Sequence, residues 1–171
     1  SMGTSAAVSV AIIGALNELT QRDLSKHEIA TLAHSVEAQE LGLQCGVQDQ
    51  MAAVYGGINF IDIHDFPDAR VTQVAISDNV WEALEQQLLL VYIGKPHVSS
   101  EIHKRVIADL GDTPQADERL IKLRHLAHEA QTALREENLV DLGKIFNANT
   151  QVQRALHKEL ISADFEAIIS L

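Results

Sequence analysis

Three short stretches carry residue types able to do chemistry. Gly3-Thr4-Ser5-Ala6-Ala7 puts a glycine and two hydroxyls where a helical pattern begins. First-turn N–H groups of a helix have no intrahelical partners, and the helix dipole favours an anion beside them. Hydroxyls at that point can bind phosphate, or a Mg²⁺ that bridges phosphates; an ordinary Ser/Thr-capped helix start explains the same residues without any ligand. The second stretch holds two acids, Glu37 and Glu40, near the end of a helical pattern. In the third, Cys45–Asp62 (CGVQDQMAAVYGGINFID), Asp49 stands among Val47, Met51, Ala52, Ala53 and Val54. So apolar a neighbourhood makes an ionised carboxylate need a purpose. As a plain alternative, Asp49 caps the short helix opened by QMAAVY.

The elements that position these residues follow from hydrophobic spacing. Ser5–Leu19 reads as a helix, apolar nearly all round and therefore buried. Ser25 is placed as the N-cap of a second helix, with Glu28 three residues on completing a capping box. Its apolar face takes in Ile29, Leu32, Ala33 and Val36, and Gly42 ends it. At ~100° per residue, Glu40 lies almost over Ile29 while Glu37 lies on the flank, so helix geometry selects Glu40 as the inward acid. Strands are expected at about Gly57–Ile63 and Arg70–Ile76, a short helix at Asp78–Gln87, and a buried strand at Leu88–Ile93. The rest is helical: Ser99–Leu110, Asp117–Glu136 and Leu139–Leu160, with Gly111-Asp112-Thr113-Pro114 as a break. Ser99 and Ser100 read as caps. The order of elements is that of a helix-rich α+β protein, an α/β two-layer arrangement.

Composition narrows the function classes. A net charge of -11 over 171 residues argues against a broad nucleic-acid surface, since most faces would repel a phosphate backbone. An anionic small molecule remains compatible where backbone N–H groups and a metal supply local positive charge. Cys45 is the only cysteine, so no internal disulfide and no Cys-based zinc site forms, which fits a reducing cytoplasm. The apolar run Val8–Leu16 is too short to span a bilayer. The eight His residues are scattered; His125 and His128 share a helical face, and helix surface is their plain reading.

Taken in order, Gly3–Ala7, Glu37 and Cys45–Gln50 resemble the GHMP superfamily of small-molecule kinases. Its phosphate-binding motif has the form P-x-x-x-G-L-G-S-S-A, and MGTSAA is similar to the second half, with Met2 at the Leu position and Thr4 at the first Ser. Glu37, Leu41, Gly42, Gly46, Asp49 and Gln50 fall in register with the galactokinase branch, and QDQMAAVYGGINFID resembles heptose-7-phosphate kinases. Val91–His103 is similar to a strand–loop–helix of that branch. The family's N-terminal motif and its third Gly-rich motif have no counterpart in the sequence, so the resemblance is to a central segment.

The resemblance implies ribosomal-S5-like and ferredoxin-like subdomains, with residues 1–63 as the later part of the phosphate-binding domain and 64–171 as most of the C-terminal domain. It implies ATP and Mg²⁺ as cofactors and phosphoryl transfer to a hydroxyl of a sugar or sugar phosphate. Gly3, Thr4, Ser5 and Ala6 would cradle the ATP phosphates, Glu37 and Ser5 would take the metal, and Asp49 would orient and deprotonate the acceptor. Family register thus selects Glu37 where helix geometry selects Glu40; we follow register. A cytoplasmic protein with no nucleic-acid or membrane partner is expected, inactive as a truncated segment, with a homodimer covering apolar surface left bare. The competing readings are a non-catalytic sugar- or nucleotide-sensing module of the same fold and a helical interaction module.

Overall fold

A computed structural model describes residues 3–92, 99–111 and 114–170. The chain divides into two compact units, Ser1–Val74 and Ala75–Leu171.

The first unit contains α1 (Thr4–Thr20), α2 (Lys26–Ser35), a π-helical turn (Val36–Glu40), α3 (Gln48–Tyr55), β1 (Asn59–Asp65) and β2 (Asp68–Gln73). α2 starts where the capping box was expected: Ser25 Oγ accepts from the Glu28 amide, and the Ser25 amide donates to Glu28 Oε2 at 2.8 Å. Asn17, buried near the end of α1, accepts from the Leu24 amide at 2.9 Å and fixes the approach to α2. β1 and β2 form one antiparallel hairpin, Ile61 opposite Val71 and Asp62 opposite Arg70, each strand displaced by about a turn's length from its expected span. Ala30, Val47, Met51 and Ala69 make the core, with Val54, Tyr55, Ile61 and Val71 packed against it.

Two expectations about packing fail. α1 is not buried: it meets α2 and α3 along one side, and Val8, Ile12, Leu16 and Leu19 form an exposed stripe on the other. An all-round apolar helix needs neighbours on every side, and this unit supplies them on one. The second failure lies in the other unit. Leu88–Tyr92 has no regular secondary structure and is exposed, Leu89 at 90%, where a buried strand was expected; Ile93 lies outside the described residues. A continuous apolar run becomes a strand only against another strand, and among the described residues β1 and β2 pair only with each other.

The second unit is otherwise helical, with α4 (Asp78–Gln87), α5 (Ser99–Leu110), α6 (Glu118–Arg135), α7 (Leu139–Leu156) and α8 (Ala163–Ile169). α6 and α7 pack as a hairpin burying Leu126, Ala133, Leu142, Val152 and Leu156. α7 stops short of Leu160: Arg119 donates to the carbonyls of Ala155 (3.1 Å) and Leu156 (3.3 Å), His157 is extended, and Ser162 caps a new helix. Residues 93–98 of the Val91–His103 similarity, the Asp112-Thr113 break and Met2 fall outside the described residues, as do the side chains of Ser99 and Ser100. Among the described residues no helix is long and apolar enough to cross a membrane.

Candidate active site

α1 begins at Gly3, which is left-handed (φ 62°, ψ 27°), and the Ala7 amide donates to the Gly3 carbonyl at 2.9 Å. No side chain caps this end, and its first turn holds no acid. The cap reading of Thr4 and Ser5 therefore has no hydrogen bond behind it; both are exposed, and Ala6 is buried. A bare helix start of this kind offers its amides to an anion. The left-handed Gly3 also lets α3 come close. A Cβ built on Gly3 would lie 3.3 Å from Asp49 Cγ and 3.4 Å from its Oδ2.

Glu37 points inward, 4% exposed, whereas Glu40 is exposed. Helix geometry misled because the wrong face was taken as the inner one. Ala30, Ala33 and His34 are the buried positions of α2, and Leu32 is not. At ~100° per residue, Glu37 falls within ~20° of Ala30, continuing that small-residue face. The π turn that follows, closed by the Leu41 amide on the Val36 carbonyl (3.0 Å), carries Glu40 out of phase. Gln50 Nε2 donates to Glu37 Oε2 at 2.6 Å, and Ser9 Oγ lies 3.4 Å from Glu37 Oε1.

Asp49 is not the N-cap of α3. Val47 holds that place with no side-chain cap, and Asp49 sits one residue into the first turn, where the dipole favours a carboxylate. Nor is it enclosed by apolar groups. Val47 and Met51 turn into the core while Asp49 is exposed, because residues adjacent in a helix point in different directions. Among the described residues its carboxylate has no hydrogen-bond or ion-pair partner. Cys45 is within reach of both acids: burial, then the charges of Glu37 and Asp49, push its thiol up from the ordinary value.

The donor set can be compared with the expected cofactors. The uncapped, acid-free start of α1 suits phosphate oxygens. Among the described residues no three His, Cys, Asp or Glu side chains cluster as a metal cage. Mg²⁺ does not require one; with phosphates and waters it takes one or two carboxylates. Glu37 fits that use, since its Oε1 is only loosely engaged by Ser9. Ser5, the other expected ligand, precedes Ser9 by one turn on α1 and so shares its face.

Residues 1–57 match the family described as the GHMP kinases N terminal domain. Over those residues the chain is similar to GHMP kinases. It is 25% identical over 170 residues to D-glycero-alpha-D-manno-heptose 7-phosphate kinase of Campylobacter jejuni, covering 99% of this chain and 50% of that protein. It is 29% identical over 161 residues to mevalonate kinase of Pyrococcus horikoshii, covering 91% of this chain and 44% of that one. The fold matches the crystal structure of a D-glycero-D-manno-heptose 1-phosphate kinase from Bacteriodes thetaiotaomicron with a TM-score of 0.71 at 24% identity, over 89% of this chain and 43% of that one. The chain thus spans about half the length of these relatives. The expected α+β, GHMP-kinase-like fold holds, as does the likeness to heptose-phosphate kinases.

Two residues of the site escaped sequence reasoning about roles. Ser9 lies inside the apolar run Val8–Leu16, and its i+4 spacing from Ser5, which places both on one face, is the signal that could have found it. Gln50 was read only as part of a motif; its complete burial and its bond to Glu37 come from tertiary packing.

Proposed function

We propose that this chain is the central part of an ATP-dependent GHMP kinase that phosphorylates a hydroxyl of a sugar or sugar phosphate. The observation that carries the reading is the approach of Gly3 to Asp49, which sets an unpartnered carboxylate beside an uncapped helix start. A group that accepts a proton and a group that binds phosphate are then neighbours, as phosphoryl transfer to an alcohol requires.

In this reading the amides of Thr4, Ser5 and Ala6 donate to phosphate oxygens of ATP. Glu37, with Ser5, holds the cation. Asp49 orients the acceptor hydroxyl and takes its proton as that oxygen bonds to the γ-phosphorus and the bond to the departing ADP breaks. Mg²⁺, when bound, neutralises phosphate charge that would otherwise oppose Asp49. The exposure of Asp49 in this chain suits a base whose substrate and remaining walls come from elsewhere in a GHMP fold. The same reading assigns residues 1–63 to the phosphate-binding domain and 64–171 to the C-terminal one. It places the protein in the cytoplasm. It also makes the isolated chain catalytically silent and its bare apolar surfaces a reason to dimerise.

The test is a version extended to the length of its relatives, assayed for ADP release against a panel of sugars and sugar phosphates. One member of the panel should be turned over, and Asp49→Asn should lose ~10²–10⁴-fold in kcat with ATP binding little changed. Full turnover by Asp49→Asn would remove it as the base, and silence against the whole panel would favour the sensing module.

A further inference from the structure

Gln50 is 1% exposed, and a polar side chain buried that deeply needs an explanation. Its amide nitrogen gives the 2.6 Å bond to Glu37 Oε2, while its own Oε1 is buried and has no hydrogen-bond partner among the described residues. A side chain kept merely for packing would be better replaced by an apolar one of the same length, since an unmet buried acceptor costs stability. Its place in the chain points to a use. Asp49 and Gln50 are consecutive residues of the first turn of α3, the one turned out towards Gly3 and the other turned in to Glu37.

We infer that Gln50 is a positioning residue, holding the Glu37 carboxylate by Oε2 so that Oε1 is presented to a divalent cation at a fixed distance from Asp49. The inference rests on the functional reading above, in which Glu37 is the metal carboxylate. Ser9 touches the other oxygen at 3.4 Å, too long to compete strongly with a cation. The short bond fixes the carboxylate and the long one leaves a place for the metal. The first turn of α3 thereby ties the proton acceptor and the metal ligand into one rigid piece.

The experiment needs no turnover. The ¹⁵N-labelled chain is titrated with MnCl₂ alone, and paramagnetic broadening of amide signals around Ser9, Glu37 and Gln50 is followed. In the wild type these signals should broaden at low Mn²⁺, and Glu37→Gln should abolish the effect. Gln50→Met, which keeps the length and loses the donor, should raise the Mn²⁺ needed for half-broadening by ~10-fold or more, the usual scale for groups that orient a metal ligand. Met51→Leu, an equally buried neighbour, should leave it unchanged. If Gln50→Met titrates like the wild type while Glu37→Gln does not bind, the inference fails and the functional reading stands. If Mn²⁺ broadens nothing near Glu37, or Glu37→Gln leaves the broadening in place, the metal reading falls and the inference with it. Should Gln50→Met fail to fold, the wild-type Gln50 side-chain amide signals decide: they should shift in Glu37→Ala, and no shift would overturn the inference.

Discussion

Replacing Gly3 by alanine sets two opposed effects against each other. Where the backbone is compatible, Gly→Ala stabilises by ~0.4–1 kcal/mol through the unfolded state. Here φ is +62°, and a left-handed L-residue costs roughly 1–2 kcal/mol. The new Cβ would also meet Asp49 at 3.3–3.4 Å, but that side chain is exposed and can swing by a few tenths of an ångström. Backbone strain therefore decides the sign. Less the opposing ~0.4–1 kcal/mol, the net strain reaches ~1.6 kcal/mol, and the first turn of α1 should open more often, by up to about 15-fold. Hydrogen exchange reads this directly at the Ala7 amide, whose acceptor is the Gly3 carbonyl. The Leu24 amide, bonded to Asn17 at the far end of the helix, serves as the unaffected control. A D-alanine introduced at the same position by ligation should exchange no faster than the wild type, since its mirror-image preference matches the observed φ. Slower exchange in Gly3→Ala than in the wild type would refute the left-handed start and the close approach argued from it.

Further outcomes follow from individual contacts. Ser25→Ala should lower the stability of α2 by ~0.5–2 kcal/mol, the range for a lost N-cap, read by thermal unfolding at pH 7. The Ser25 hydroxyl holds the Glu28 carboxyl below its ordinary value, so the carboxylate's share of the box is complete above that value and is lost as the pH falls through the lowered one, while the bond from the Glu28 amide to Ser25 Oγ stays. The gap between wild type and Ser25→Ala should accordingly narrow in acid without closing; a gap that widens would contradict the capping box. Glu40→Gln, on an exposed side chain, should move stability by no more than ~0.5 kcal/mol and leave Mn²⁺ broadening untouched. A loss of Mn²⁺ binding in Glu40→Gln would restore Glu40 as the inward acid.

Local chemistry was legible from the chain alone wherever a few adjacent residues settle the matter. The Ser25–Glu28 box and the span of α4 depend on neighbours within one helical turn. The spacing of Glu37, Asp49 and Gln50 was likewise enough to name a family that residues 1–57 then matched. What failed were the readings of how far α1 and the run Leu88–Tyr92 are covered, and of which acid of the Glu37/Glu40 pair helix geometry turns inward. The stripe Val8–Leu19 and the run Leu88–Tyr92 are apolar on the page and exposed in space. Hydrophobicity records a need for a neighbour and carries no information on whether the same unit provides one.

The residue types at the site and their order belong to the sequence. Their roles in space were decided by packing. Small residues, Ala30 and Ala33, form the buried face of α2, and that choice of face turned Glu37 in and Glu40 out. Periodicity alone could not choose it, because larger apolar side chains such as Ile29 and Leu32 mark a different face just as well. Likewise Asp49 and Gln50 are equivalent as neighbours in a string. Only the docking of α3 against α1 and α2 sends one out to Gly3 and the other in to Glu37, since a helix turns ~100° between consecutive residues and tertiary contacts alone set its absolute rotation.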